Sequence, residues 1–228
     1  MNCKEVLSVL RKEYNPKNVR GMAHFGIHVD NALGISMPFL RNLAKKIGKD
    51  HNLSQELWKT GIHEARILAS MVDEPEQLTQ KQMNAWVKDF NSWDICDQVC
   101  MNLFSKSKYA VKKIYDWQNR KEEFVKRTSF TLIACVAWHD ETLKDSEFIK
   151  FFALIKKVAN DERNFVKKAV NWALRNIGKR NMALNKEAVK FANTLLKLDS
   201  KSAHWKAKDA IRELSSPQVL NRLAKKDI

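Results

Sequence analysis

The stretch Asn91-Ser92-Trp93-Asp94-Ile95-Cys96-Asp97-Gln98-Val99 holds the residues best suited to chemistry in this chain. Trp93 and Asp97 are four residues apart, one turn of a helix, so both project from one face. A carboxylate in that position can stabilise a cationic reacting centre, and an indole face attracts the same charge. The spacing is equally compatible with a core tryptophan and a carboxylate paired to a basic neighbour. Asp94 lies closer to the start of the same helix, where the dipole stabilises a carboxylate, so a structural role suits it and Asp97 is the better candidate for chemistry. Other reactive patterns fall away. His24 and His28 are spaced i, i+4 but have no third ligand, and His63-Glu64 lacks the second histidine of H-E-x-x-H. No glycine-rich phosphate loop, G-x-S-x-G elbow or Cys/His nucleophile pattern occurs, so neither metal nor cofactor is expected.

Cations are the second chemical resource. The 228 residues include 41 Lys and Arg against 26 Asp and Glu, a formal net charge of +15. An excess of this size favours a phosphate-bearing partner. Trp172, in Asn171-Trp172-Ala173-Leu174-Arg175, sits among Arg163, Lys167, Lys168, Arg175, Lys179 and Arg180. A tryptophan on a helix is usually packing; the surrounding charge is what singles this one out. The four cysteines are irregularly spaced and form no C-x-x-C pair, consistent with reduced thiols in a cytoplasmic protein. The first residues lack the apolar core of a signal peptide, and no apolar run approaches the roughly 18 residues of a membrane span, so no membrane partner is expected.

The scaffold that must position these groups reads as helical. Gly (6) and Pro (4) are too scarce for a turn-rich β-protein of this length. Apolar residues recur at helical spacing over 4–14, and Asn15-Pro16 ends that helix. Glycines at 21, 26 and 34 reduce 17–35 to a short helix and a turn. Ser36 opens a helix that closes near Gly48, and 53–60 forms a short one. Helices then come in pairs: 63–72 with 79–90, 92–104 with 107–118, 123–139 with 144–158, 162–177 with 183–197, and 203–214 with 217–226. Val125-Lys126-Arg127 recurs as Val166-Lys167-Lys168, and Trp205-Lys206-Ala207 follows at a similar interval; Glu64-Ala65-Arg66 fits upstream. A period of about 40 residues with two helices per unit is the signature of HEAT-type arrays. The expected fold is therefore all-α, an α-solenoid of HEAT-like helix pairs forming a single domain over 1–228, with a concave basic face. Arg66, Arg127 and Lys168 take equivalent places near the starts of successive inner helices, a track for a nucleic-acid backbone.

Three stretches together resemble a known family, the AlkD-like DNA alkylation-repair glycosylases. They are Ser92-Trp93-Asp94-Ile95-Cys96-Asp97, Phe124-Val125-Lys126-Arg127, and Phe165-Val166-Lys167-Lys168-Ala169-Val170-Asn171-Trp172-Ala173-Leu174-Arg175. The resemblance runs from about residue 15 to about residue 215. It implies excision of cationic N-alkylpurines, of the 3-methyladenine or 7-methylguanine type, from double-stranded DNA by a monomer. By the same resemblance Asp97 is the catalytic carboxylate, Trp93 and Trp172 are the aromatic pair of the cleft, and Arg127 is a backbone-binding arginine. Lys168 and Arg66 join the DNA-binding set from their register. No lysine stands beside Asp97 as an amine nucleophile, so base excision without strand cleavage is expected. The other reading of the same scaffold is a non-catalytic binder of duplex or branched DNA.

Overall fold

The structure, a computed structural model, describes residues 1–225. The chain divides into two compact units, Met1–Lys108 and Tyr109–Ile228. All regular elements of the described residues are helices. The first unit contains α1 (Cys3–Lys12), α2 (Pro16–His24), α3 (Met37–Ile47), α4 (His51–Lys59), α5 (His63–Val72), α6 (Gln80–Trp86) and α7 (Trp93–Asn102), with 3-10 turns at Val87–Asp89 and Phe104–Lys106. The second contains α8 (Ala110–Trp117), α9 (Glu123–His139), α10 (Asp145–Lys157), α11 (Asn164–Gly178), α12 (Met182–Leu195), α13 (Lys201–Leu214) and α14 (Pro217–Ala224). This is the all-helical, paired organisation expected of HEAT-like repeats.

In the first unit α5 packs on α3, α4 and α7. Its Ala65, Leu68, Ala69 and Val72 are fully buried at helical spacing. Beside it, the rings of Trp58 and Trp86 stack with centroids 3.9 Å apart and planes 3° from parallel. Such a pair contributes about 1 kcal/mol beyond the area it buries.

The chain between α2 and α3 is the unit's longest non-helical run. Pro16 begins α2 rather than ending α1, which stops at Lys12; the Asn15 side chain caps α2 by accepting from Asn18 N. Gly21 is accommodated inside this helix. The run that follows is pinned from α5. The buried Glu64 carboxylate accepts from the amides of Leu33 at 2.8 Å, Gly34 at 2.7 Å and Ile35 at 3.3 Å. Gly34 has φ +72°, and a Cβ there would collide with the Asn15 carbonyl oxygen. Only glycine relieves both constraints.

In the second unit α9, α11 and α13 form one layer, α11 packing on both of the others. α8 backs α9, α12 backs α11 and α13, and α10 lies against α12. Every residue of α9 from Arg127 to Ala137 is buried, so the helix is enclosed on all sides. At the end of α11, Gly178 lets Leu214 and Ala188 close in; a Cβ there would lie 2.6 Å from Leu214 Cδ1. The repeat noted in the sequence holds in the helices for Arg127 and Lys168, whereas Trp205, matched there to Val166, is displaced by two places. The fifth residue is Asp97 in α7, Arg127 in α9, Lys168 in α11 and Trp205 in α13, and Arg66 is the fourth of α5.

Candidate nucleic-acid interface

The first unit holds Arg66, Trp93 and Asp97. α7 begins at Trp93, and Asp94 in its first turn anchors that end. Asp94 Oδ1 accepts from Ser92 Oγ at 2.8 Å and from the amide of Ile95 at 3.0 Å, while Oδ2 lies 2.8 Å from His63 Nε2. Burial raises the Asp94 pKa, but the hydrogen bond and charge of His63, with the Ser92 and Ile95 donors, outweigh it and hold the carboxyl below its ordinary value. Asp94 is thus engaged with its neighbours, and Ser92, fully buried, supplies one of its donors.

One turn further on, Asp97 is half-buried, as is Trp93. Trp93 Nε1 donates to the Phe25 carbonyl at 3.1 Å. The indole forms one wall of an open groove of about 690 Å³ with Met22, Phe25 and Ile27. The segment after α2, positioned by Glu64, therefore sets the attitude of the tryptophan. Arg66 is engaged within the unit. Its guanidinium stacks on Trp58 at 5.2 Å, Nη1 donates to the Asp89 carbonyl at 3.2 Å, and Nη2 lies 3.8 Å from the Asp89 carboxylate.

The second unit holds Arg127, Lys168 and Trp172. Arg127 is only 4% exposed, and its Nη1 donates to the Phe165 carbonyl at 2.6 Å. The guanidinium thus lies inside the surface, tying α9 to the start of α11. Lys168 is exposed on α11, and Trp172 follows one turn later, half-buried. The other cations around Trp172 are mostly engaged within the unit. Arg175 and Lys179 both meet Glu213 of α13, Lys179 at 2.7 Å, and Arg163 grips Asp161 with Nη2 at 2.6 Å.

One feature of this surface escaped the sequence reading. Trp205 on α13 is 42% exposed, and Lys167 Nζ lies over its ring at 5.2 Å. It shares a face of α13 with the exposed Lys201, Lys208 and Arg212. The sequence repeat aligned Trp205 with the buried Val166, so it gave no signal; the helix starts, which make Trp205 fifth in α13 as Lys168 is fifth in α11, place it on this surface. Exposed cations flanking an indole along one helix face suit a nucleic-acid backbone with access to base faces.

Among the described residues no group of three His, Cys, Asp or Glu side chains is arranged to hold a metal ion, and no helix is long and apolar enough to cross a membrane.

Comparison with known proteins agrees with the fold. A solved structure described as "a new family of proteins related to the HEAT-like repeat DNA glycosylases with affinity for branched DNA structures" superposes with a TM-score of 0.76 at 19% identity. The match covers 85% of this chain and 83% of that one. A designed armadillo repeat protein matches with a TM-score of 0.34 at 17% identity, over 77% of this chain and 92% of its own. No curated protein matches the sequence significantly. The family model of the DNA alkylation repair enzymes matches residues 6–214, and the chain belongs to that family.

Proposed function

We propose that the protein is a monofunctional DNA glycosylase that excises cationic N-alkylpurines from duplex DNA, acting as a monomer without a cofactor. The observation that carries this reading is on α7, where Trp93 and Asp97, one turn apart, are both partly accessible. Membership of the DNA alkylation repair family supports this reading.

The chemistry asks little of the protein. An N-alkylated purine already carries positive charge, so it departs with the electron pair of the glycosidic bond and becomes neutral. The charge passes to the sugar, whose C1′ becomes oxocarbenium-like. The Asp97 carboxylate stabilises that charge and orients water. Water oxygen bonds to C1′ and releases one proton to solvent, leaving an abasic site. The Trp93 face attracts the cationic base before the bond breaks. Exposed Lys168 in the second unit contacts phosphate; the more enclosed Arg66 and Arg127 support the helices that carry the interface.

The test is release of methylated base from alkylated duplex. Wild type should release it, and Asp97→Asn should slow release by about 10²–10³-fold while binding the same duplex with unchanged affinity. A wild-type protein that binds duplex but frees no base leaves the second reading, a non-catalytic DNA binder. The likeness to a protein described as having affinity for branched DNA favours that alternative.

A further inference from the structure

Within the second unit, the end of α9, the loop that follows it, the far half of α11 and Arg222 of α14 surround an open cleft of about 720 Å³. Trp138 and Trp172 both line it. Trp138, in the last turn of α9, is 62% exposed. Its ring stacks on His139 with centroids 4.6 Å apart and planes 23° from parallel. Residues 127–137 of the same helix are all buried, so the exposed indole stands at the point where the helix leaves the core. Its exposed surface gives the cleft an aromatic face on which a planar group can stack.

The charges lining the cleft divide into held and available groups. Arg180 donates to the carbonyls of Ala137 and Leu143, both at 3.3 Å, and its guanidinium lies 4.5 Å over the Phe148 ring. Lys179 is paired with Glu213. Asp145 accepts from Asn181 Nδ2 at 2.8 Å. Lys144 and Arg222 are exposed and make no ion pair among the described residues; Arg222 has only a 3.4 Å contact to the Lys179 carbonyl. Four cations face two carboxylates, Glu141 and Asp145, across the whole lining.

We propose that this cleft receives one unpaired nucleotide of DNA, its base stacked on Trp138 and its phosphate met by Lys144 and Arg222. The proposal rests on the DNA-binding reading above and adds to it a structural preference. Bases within a duplex stack on each other and present only edges and phosphates to a protein. An unpaired base at an end or junction offers a free π-face, which is what an exposed indole in a cationic cleft recognises. The volume suits a nucleotide and its hydration.

The experiment compares a fluorescently labelled blunt duplex with the same duplex carrying a three-nucleotide single-stranded extension, read by anisotropy at fixed salt. Wild type should bind the extended form about tenfold more tightly. Trp138→Ala should bind both forms at the blunt level, Trp138→Phe should keep part of the preference, and a double Lys144→Gln, Arg222→Gln variant should lose most of it. Equal wild-type affinity for the two forms, or a preference that survives Trp138→Ala, overturns the proposal while leaving duplex recognition intact. Binding of neither form overturns duplex recognition and the cleft assignment together. Equal wild-type affinity for the two forms, together with binding of free deoxynucleoside monophosphate at low millimolar concentration that Trp138→Ala abolishes, assigns the cleft to a free nucleotide instead and rejects the DNA proposal.

Discussion

The two units bury charges of opposite sign. Glu64 and Asp73 are enclosed in the first, whereas Lys113, Arg127 and Lys206 are enclosed in the second. The sequence divides the same way. Residues 1–108 carry 15 Lys and Arg against 12 Asp and Glu, a net +3, and residues 109–228 carry 26 against 14, a net +12. An enclosed anion needs N–H donors: Glu64 takes them from the irregular backbone after α2, and Asp73 from the Gln82 side chain and the Glu74 amide, with His51 beside it. An enclosed cation needs acceptors: Lys113 meets the Asp116 carboxylate, and the other two reach carbonyls at a helix start or in a loop. Lys206 Nζ donates to the Ala159 carbonyl beyond α10 at 2.9 Å, and Arg127 to Phe165 at the start of α11. The difference teaches where each function belongs. Internal carboxylates let the first unit hold an irregular segment against the Trp93 ring. Internal cations join the second unit together while adding to its positive field, which draws a polyanion.

The largest way to break this contrast is Lys206. Burial lowers its pKa from 10.5 to about 8. The folded state therefore gives up the proton first, and between about pH 8 and 10.5 the unfolded state binds more protons. Stability rises with pH across that window. Wild type should gain about 3 kcal/mol over it relative to Lys206→Met, read as urea midpoints from pH 7.5 to 10.5. Parallel curves would mean the ammonium is not enclosed.

Gly34 tests the other unit. With φ +72° and the Asn15 carbonyl in the way, Gly34→Ala should destabilise by about 2 kcal/mol. Displacement of the segment should also alter Trp93 fluorescence through the Phe25 contact. A loss of stability without any optical change would detach Trp93 from the segment that Glu64 holds.

These two sites also mark what could be read from the sequence. Helical periodicity and scarce Gly and Pro gave the all-α fold, because those signals are local. The run 79–90 came out as α6 and a 3-10 turn, and 107–118 as the shorter α8, since ends are set by packing as well as by period. The segment 17–35 was hard to read because Glu64, about thirty residues away, fixes it. Candidate cations were legible as residue types but not by partner. Arg66 finds Trp58 in the preceding helix and Asp89 at the end of its own pair, and Arg127 finds Phe165 in the next pair, each outside its own helix. Trp138 and Trp205 were missed because their exposure is a tertiary property.

Surface charge gives a smaller test. Lys168→Ala, Lys201→Ala and Lys208→Ala combined should weaken duplex binding about tenfold at moderate salt. The slope of log affinity against log salt should flatten by roughly 0.9 per phosphate contact removed. Lys17→Ala, Lys45→Ala and Lys46→Ala combined in the first unit should change both far less. Equal effects would show that the charge imbalance does not direct binding.

Asp94 gives the smallest effect and separates the two carboxylates of α7. Its folded pKa lies below the ordinary carboxylate value because the His63, Ser92 and Ile95 interactions outweigh its burial. The stability it provides is present above the unfolded pKa near 3.8 and is lost as pH falls through the lower folded value. Asp94→Asn should cost about 1 kcal/mol at neutral pH, and its melting temperature should approach that of wild type below pH 4. Asparagine keeps an oxygen for Ser92 and Ile95 but not the charge facing His63, so the variant should fold. At a temperature where both are folded, Asp94→Asn should release alkylated base at nearly the wild-type rate, whereas Asp97→Asn should not. If Asp94→Asn stops release and Asp97→Asn does not, the chemistry belongs to the carboxylate at the helix start, and His63 becomes part of the site rather than part of the fold.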